Sequence, residues 1–190
     1  MTDKPIAAGK SSFGLIDAEK LLEALEIVPG ITFLDVACGG GDYALFFAKP
    51  IGPDGRLYAF DLWEEGIARL NREMRNRRIA TIQARVADVS RHMPVDADSV
   101  DVGLMATVLH DLVADNTDDG TLKEVARVLK PGGRLAVVEF KKIDGPPGPP
   151  IGIRLSPRQT EARLRPYGFT LTATHDIGAY HYVTLFRLNN

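Results

Sequence analysis

Five apolar runs of strand length, at 31–36, 56–61, 80–86, 100–106 and 134–140, alternate along this chain with stretches of helical spacing. Runs that are apolar at most positions, and not only at every second one, belong to strands covered on both faces. Strands of that kind alternating with helices specify a mainly parallel sheet with helices on both sides. The helices read as follows. Asp17 caps one that runs through Leu21, Leu22 and Leu25 and stops at Pro29-Gly30. A second spans 43–49, before turn residues from Pro50 to Gly55. A third spans 64–77, with Ile67, Leu70 and Met74 on one face. A fourth spans 121–129, with Leu122, Val125, Val128 and Leu129 inward, and Lys130-Pro131-Gly132-Gly133 ends it.

The last fifty residues change character. The stretch Asp144-Gly145-Pro146-Pro147-Gly148-Pro149-Pro150 can be neither helix nor central strand. The tail beyond it is too short to build a core of its own, so the stretch reads as an ordered loop. Ser156-Pro157 opens a helix that runs to Pro166, with serine as cap and proline at the first helical position. Runs 170–176 and 182–188, joined by a turn at Gly178-Ala179, form an antiparallel hairpin. The 190 residues therefore read as one domain: a lid and helix at 1–30, a ligand-binding core at 31–140, and a loop, helix and closing hairpin at 141–190.

Composition excludes several function classes. With 23 Lys and Arg against 25 Asp and Glu, the formal net charge is -2, which gives no footprint for nucleic acid. The basic stretch Arg69, Arg72, Arg75, Arg77, Arg78 reads as a solvated helix face. The single cysteine, Cys38, excludes an internal disulfide framework and fits a reducing cytoplasm. No apolar leader follows Met1-Thr2-Asp3-Lys4-Pro5, and no apolar run is long enough to span a bilayer.

Chemistry concentrates where strands end. In Leu34-Asp35-Val36-Ala37-Cys38-Gly39-Gly40-Gly41-Asp42 a strand stops, glycines turn the backbone, and a helix begins. Such a turn presents main-chain N–H groups and the positive end of a helix dipole to a ligand. The next strand ends on Asp61, about 20 residues on, where a carboxylate accepts from ribose hydroxyls. Together the two features point to a nucleoside cofactor.

These segments, with Val86-Ala87-Asp88-Val89 and Leu129-Lys130-Pro131-Gly132-Gly133-Arg134-Leu135, resemble the class I S-adenosylmethionine-dependent methyltransferases. The likeness is to the small-molecule group that includes ubiquinone and menaquinone methyltransferases, and it covers about 31–140. It implies a Rossmann-like, doubly wound, mostly parallel seven-stranded sheet with a C-terminal antiparallel hairpin. It also implies S-adenosyl-L-methionine as cofactor, held by Asp35, Ala37, Gly39, Gly41, Asp61, Leu62, Asp88 and Val89. In that assignment the glycine turn meets the methionine end, Asp61 the ribose diol and Asp88 the adenine amino group. Leu62 or Val89 sandwiches the base, and Asp35 either touches ligand or orders the loop. Ala37 stands where the family usually has glycine.

The fourth strand ends in Met105-Ala106-Thr107-Val108-Leu109-His110-Asp111, beside the expected crevice. His110 is therefore the candidate to contact a small-molecule methyl acceptor or take its proton. Glu139 ends the fifth strand at the same edge, and His175, Tyr180, His181 and Tyr182 lie on the hairpin. His181 and Tyr182 face opposite sides of a regular strand, so at most one lines the site. No two histidines have zinc-protease spacing, and no metal is expected. The alternatives are a non-catalytic cofactor-binding module and a nicotinamide-dependent oxidoreductase. The second lacks the third glycine of the dinucleotide fingerprint here.

Overall fold

The computed structural model describes residues 9–189. Seven strands form one sheet: β1 (Thr32–Val36), β2 (Arg56–Asp61), β3 (Ile82–Val86), β4 (Val100–Ala106), β5 (Leu129–Phe140), β6 (Phe169–Asp176) and β7 (His181–Leu188). Their order is β3-β2-β1-β4-β5-β7-β6. β1 to β5 run parallel, and β7 is antiparallel to both β5 and β6. This is the expected Rossmann-like sheet. The strand order reverses between β1 and β4, and a crevice opens at their carboxyl ends.

Six helices cover the sheet: α1 (Ala18–Leu25), α2 (Asp42–Ile51), α3 (Glu64–Arg77), α4 (Leu109–Ala114), α5 (Asp118–Val128) and α6 (Pro157–Leu164). Successive strand residues point to opposite faces. Phe33 thus packs with Leu21, Phe47 and Leu70 of α1, α2 and α3, while Leu34 packs with Leu109, Leu122 and Leu164 of α4, α5 and α6.

Local chemistry explains the ends. Asp17 accepts from the Lys20 N–H and starts α1. Ser156 and Gln159 form a reciprocal capping box at α6 with Pro157 inside it. Three differences from the sequence expectation have a physical cause. α2 runs through Pro50, because the proline lies in the last turn and Ile51 behind it is fully buried. The strand after α5 begins at Leu129, not Arg134: Leu129 pairs with Val100, Lys130 to Gly133 loop out, and pairing resumes at Val102 and Arg134. Burial of Leu129 outweighs the stop signal of the Lys-Pro-Gly-Gly run. The short helix α4 was not expected, since no side chain caps it. Of the N-terminal lid segment, residues 1–8 lie outside the described residues.

Candidate active site

β1 delivers the glycine turn to the crevice. Ala37 has φ +55 and Gly39 φ +55, so the turn needs two left-handed residues in a row of three. That explains why glycine suits position 37; alanine there carries about 1 kcal/mol of strain. Asp61, at the end of β2, holds the turn in place. One carboxylate oxygen accepts from the Gly39 N–H at 2.7 Å, and the other from the Trp63 N–H at 2.7 Å. Each oxygen keeps a further lone pair for a ligand.

A cavity of about 270 Å³ opens above this turn. Ala37, Gly39, Asp61, Leu62, Asp88 and Val89 all wall it, with Thr107, Asp111 and Asp115 on the β4 side. Leu62 is 54% exposed, an apolar side chain left at the cavity lip. Asp88 is kept rigid: it accepts from the Ser90 N–H and hydroxyl and pairs with Arg91. Four carboxylates (Asp61, Asp88, Asp111, Asp115) and one cation, Lys10, face the space. Such a wall attracts a sulfonium and repels the pyrophosphate of a dinucleotide.

Two of the expected cofactor residues lie behind this wall. Gly41 begins α2 at φ +81, and a Cβ there would come within 2.6 Å of Leu70, so it serves helix–helix packing. Asp35 is 1% exposed, and its Oδ2 has no hydrogen-bond partner. Burial and the neighbouring Asp61 charge push its pKa up to about 8, against a backbone hydrogen bond from Ala44. Held largely protonated near neutral pH, Asp35 adds little charge, and it is the four carboxylates lining the cavity that suit a cationic ligand. The residues present therefore fit S-adenosylmethionine.

A second cavity, of about 490 Å³, adjoins the first and shares Lys10, Thr107 and Asp111 with it. Its remaining walls include Ser12, Leu15, His110, Phe140, Pro149 and Ile153. His110 thus lines the second cavity and not the first. Its Nδ1 lies 2.6 Å from Glu139 Oε2, and its backbone N–H donates to Glu139 Oε1 at 3.1 Å. Its Nε2 lies 3.5 Å from Asp111 Oδ1. Burial lowers the imidazole pKa, but the Glu139 hydrogen bond and the Glu139 and Asp111 charges outweigh it, and the pKa is raised. Across the cavity, Ser12 bonds to both the Tyr43 hydroxyl at 2.8 Å and the Thr107 hydroxyl at 2.9 Å. That chain ties the segment before α1 to the start of α2 and the end of β4.

The roof of the second cavity depends on a residue the sequence did not flag. Arg154 is 2% exposed, and its guanidinium donates to the carbonyls of Pro149, Lys141, Ile143, Gly145 and Pro147. All five guanidinium N–H donors are thereby used. It also lies over the Phe140 ring, 5.5 Å from the centroid. The sequence places Glu139 at the end of the fifth strand, at the crevice edge. Its pairing with His110, 29 residues away, was not visible there. The two hairpin residues line neither cavity: Tyr182 bonds to the Leu155 carbonyl and Thr160, while His181 packs on Phe140. Among the described residues, no three His, Cys, Asp or Glu side chains are arranged to hold a metal ion.

Comparison with known proteins agrees with this geometry. Residues 34–137 match the model of a family described as "Methyltransferase domain". A ubiquinone/menaquinone biosynthesis C-methyltransferase of Bordetella parapertussis is 35% identical over 121 residues, 64% of this chain and 45% of that protein. A demethylmenaquinone methyltransferase of Lactobacillus johnsonii is 30% identical over 129 residues, 67% of this chain and 51% of that protein. The chain spans about half the length of these curated relatives. A crystal structure of a SAM-dependent methyltransferase from Aquifex aeolicus superposes with a TM-score of 0.84 at 26% identity, covering 94% of this chain and 93% of that one.

Proposed function

From the premise that this chain belongs to the methyltransferase-domain family, in its class I S-adenosylmethionine-dependent group, we propose that it transfers a methyl group to a small-molecule acceptor. The observation that carries the reading is the pair of adjoining cavities: one with four carboxylates above a glycine turn, the other with Leu15, Phe140, Pro149 and Ile153 facing Lys10, His110 and Asp111. Ala37, Gly39, Asp61, Leu62, Asp88 and Val89 would hold the cofactor, and Asp35 would order the turn from below. When bound, S-adenosylmethionine supplies an already activated methyl group on a sulfonium. The protein's share is to align the acceptor for in-line attack and to keep water out.

The acceptor would sit in the second cavity, between Leu15, Phe140, Pro149 and Ile153, with His110 at one wall. The four apolar side chains suit a neutral ring, and His110 and Asp111 face its polar substituents. Ring acceptors of the kind named in the quinone-pathway relatives are therefore the first to assay. Residues 9–30 and the loop at 141–150 would close over the acceptor, so the whole chain would work as one domain. Among the described residues no helix is long and apolar enough to cross a membrane. A cytoplasmic location is part of the proposal and rests on the lone Cys38.

Calorimetry tests the cofactor assignment directly. Wild-type protein should bind S-adenosylmethionine and not a nicotinamide dinucleotide. Asp61→Ala should weaken binding by about 1–3 kcal/mol, since the turn loses its tether and the ribose its acceptor. Unchanged affinity in a folded Asp61→Ala variant would refute the ribose assignment. Binding without methyl transfer to any acceptor would favour a regulatory module.

A further inference from the structure

The two cavities share one wall, and any group that serves both reactants must stand on it. Among the described residues, only Lys10, Thr107 and Asp111 line both spaces. Lys10 is a cation and cannot accept a proton while charged. The Thr107 hydroxyl is bonded to Ser12. Asp111 remains, with its side chain 26% exposed.

His110 is poorly placed to be the base. Both ring nitrogens face carboxyl groups, Glu139 at 2.6 Å and Asp111 at 3.5 Å. Between two carboxylates the ring is held as imidazolium: Nδ1 donates to Glu139, and Nε2 faces the Asp111 carboxylate as an ion pair at 3.5 Å. The other charged groups acting here, Arg154 on His110 and Asp115 and Lys10 on Asp111, do not reverse that balance. His110 is also 3% exposed and Glu139 fully buried, so neither can readily shed a proton to water between turnovers.

We propose that Asp111 is the catalytic base of this site, and that His110, backed by Glu139, is a positioning residue that holds the Asp111 carboxylate at the shared wall. The assignment rests on the methyl-transfer reading above. The acceptor class is a neutral molecule with a weakly acidic hydroxyl on an apolar ring. Its O–H bond breaks and the proton bonds to an Asp111 oxygen. The electron pair stays on the acceptor and would form the new bond to the methyl, at the oxygen or at an adjacent ring carbon, as the methyl–sulfur bond breaks and its pair stays on sulfur, leaving a neutral thioether; after bonding at carbon, that carbon's own proton moves to the ring oxygen and restores the aromatic ring. Asp111 then returns the proton to water through the open cavity. Its raised pKa, caused by burial and Asp115 against the pull of His110 and Lys10, suits a group that must hold a proton briefly.

Two measurements test this. In histidine-labelled protein with S-adenosylmethionine bound, nuclear magnetic resonance should show the His110 ring protonated at pH 7, identified by loss of its signal in His110→Gln. Glu139→Gln should lower its midpoint more than Asp111→Asn does. A neutral ring at pH 7 makes His110 the base and overturns the proposal. In turnover with 1,4-naphthalenediol at saturating S-adenosylmethionine, Asp111→Asn should lower kcat by roughly 10²–10⁴-fold and flatten the acidic limb of the pH profile. His110→Gln should cost about tenfold and shift that limb without removing it. The reverse order of the two variants overturns the assignment. If the diol is not an acceptor, the ring protonation state alone decides. Failure of the wild type to bind S-adenosylmethionine would instead break the underlying methyl-transfer reading.

Discussion

The two halves of the site are built by different means. The cofactor side is made by short-range backbone geometry: a strand, a glycine turn, a helix, and a carboxylate 22 residues on that bonds to the turn. The acceptor side is made by side chains reaching across the fold. Ser12 reaches Thr107, 95 residues away, and His110 reaches Glu139, 29 residues away. Arg154 gathers a loop that has no secondary structure to hold it. A site built locally resists loss of any one side chain and is sensitive to backbone conformation. A site built by long-range contacts has the opposite weakness.

The largest expected effect follows from that difference. Arg154→Met should lower unfolding stability by about 3–5 kcal/mol, because it leaves several carbonyls without the charged donor that satisfied them. Denaturant titration measures this. S-adenosylmethionine affinity in the folded fraction should stay within about threefold of wild type, because Arg154 does not line the first cavity. A large loss of affinity in folded protein would mean that the two halves are not separable.

The turn supplies the converse test. Gly41→Ala must accept both a φ of +81 and a Cβ within 2.6 Å of Leu70, and should lose about 2–4 kcal/mol of stability. Gly39→Ala, at φ +55 with open space around the new methyl, should lose only about 1 kcal/mol. Gly39 borders the cavity and Gly41 does not, so cofactor affinity should fall in the milder variant. Thermal unfolding and calorimetry on the pair separate packing from ligand contact. Equal stability loss in both would dissolve the distinction drawn between them.

The same contrast governs what could be read in the sequence. Alternating strands and helices, the glycine turn, Asp61 and the Ser156 cap are local patterns, and each lies where its residues implied. Gly41 shows the limit, because spacing alone cannot tell a glycine kept for a ligand from one kept for Leu70. The acceptor side was mostly hidden. Arg154 bonds only to carbonyls, which every residue carries, so no pattern announces it. The helix α4 has six residues and no side-chain cap. The β5 start was masked by a Pro-Gly-Gly run that the sheet accommodates as an excursion.

Phe140 brings the contrast down to two histidines. His110 and His181 pack on this ring, at centroid distances of 6.0 Å and 4.2 Å. His110 has carboxyl groups at both nitrogens, whereas both His181 nitrogens are buried without a hydrogen-bond partner among the described residues. Burial pushes the His181 pKa down to about 4, with the Leu15 backbone opposing and the Arg154 and Lys141 charges adding. Between that value and the unfolded value near 6.5, the unfolded chain binds the extra proton and the folded chain does not. Stability from this group is therefore present above pH 6.5 and is lost as pH falls toward 4. His110, with its pKa raised, acts in the opposite sense: its contribution is present below the unfolded pKa and is lost as pH rises through the folded one. His181→Phe removes the first effect and leaves the second. The variant should gain about 2 kcal/mol more over wild type at pH 5 than at pH 8. Urea titrations at the two pH values measure the difference. An equal change at both would show that His181 is not buried neutral, and that the two sides of Phe140 are electrostatically alike.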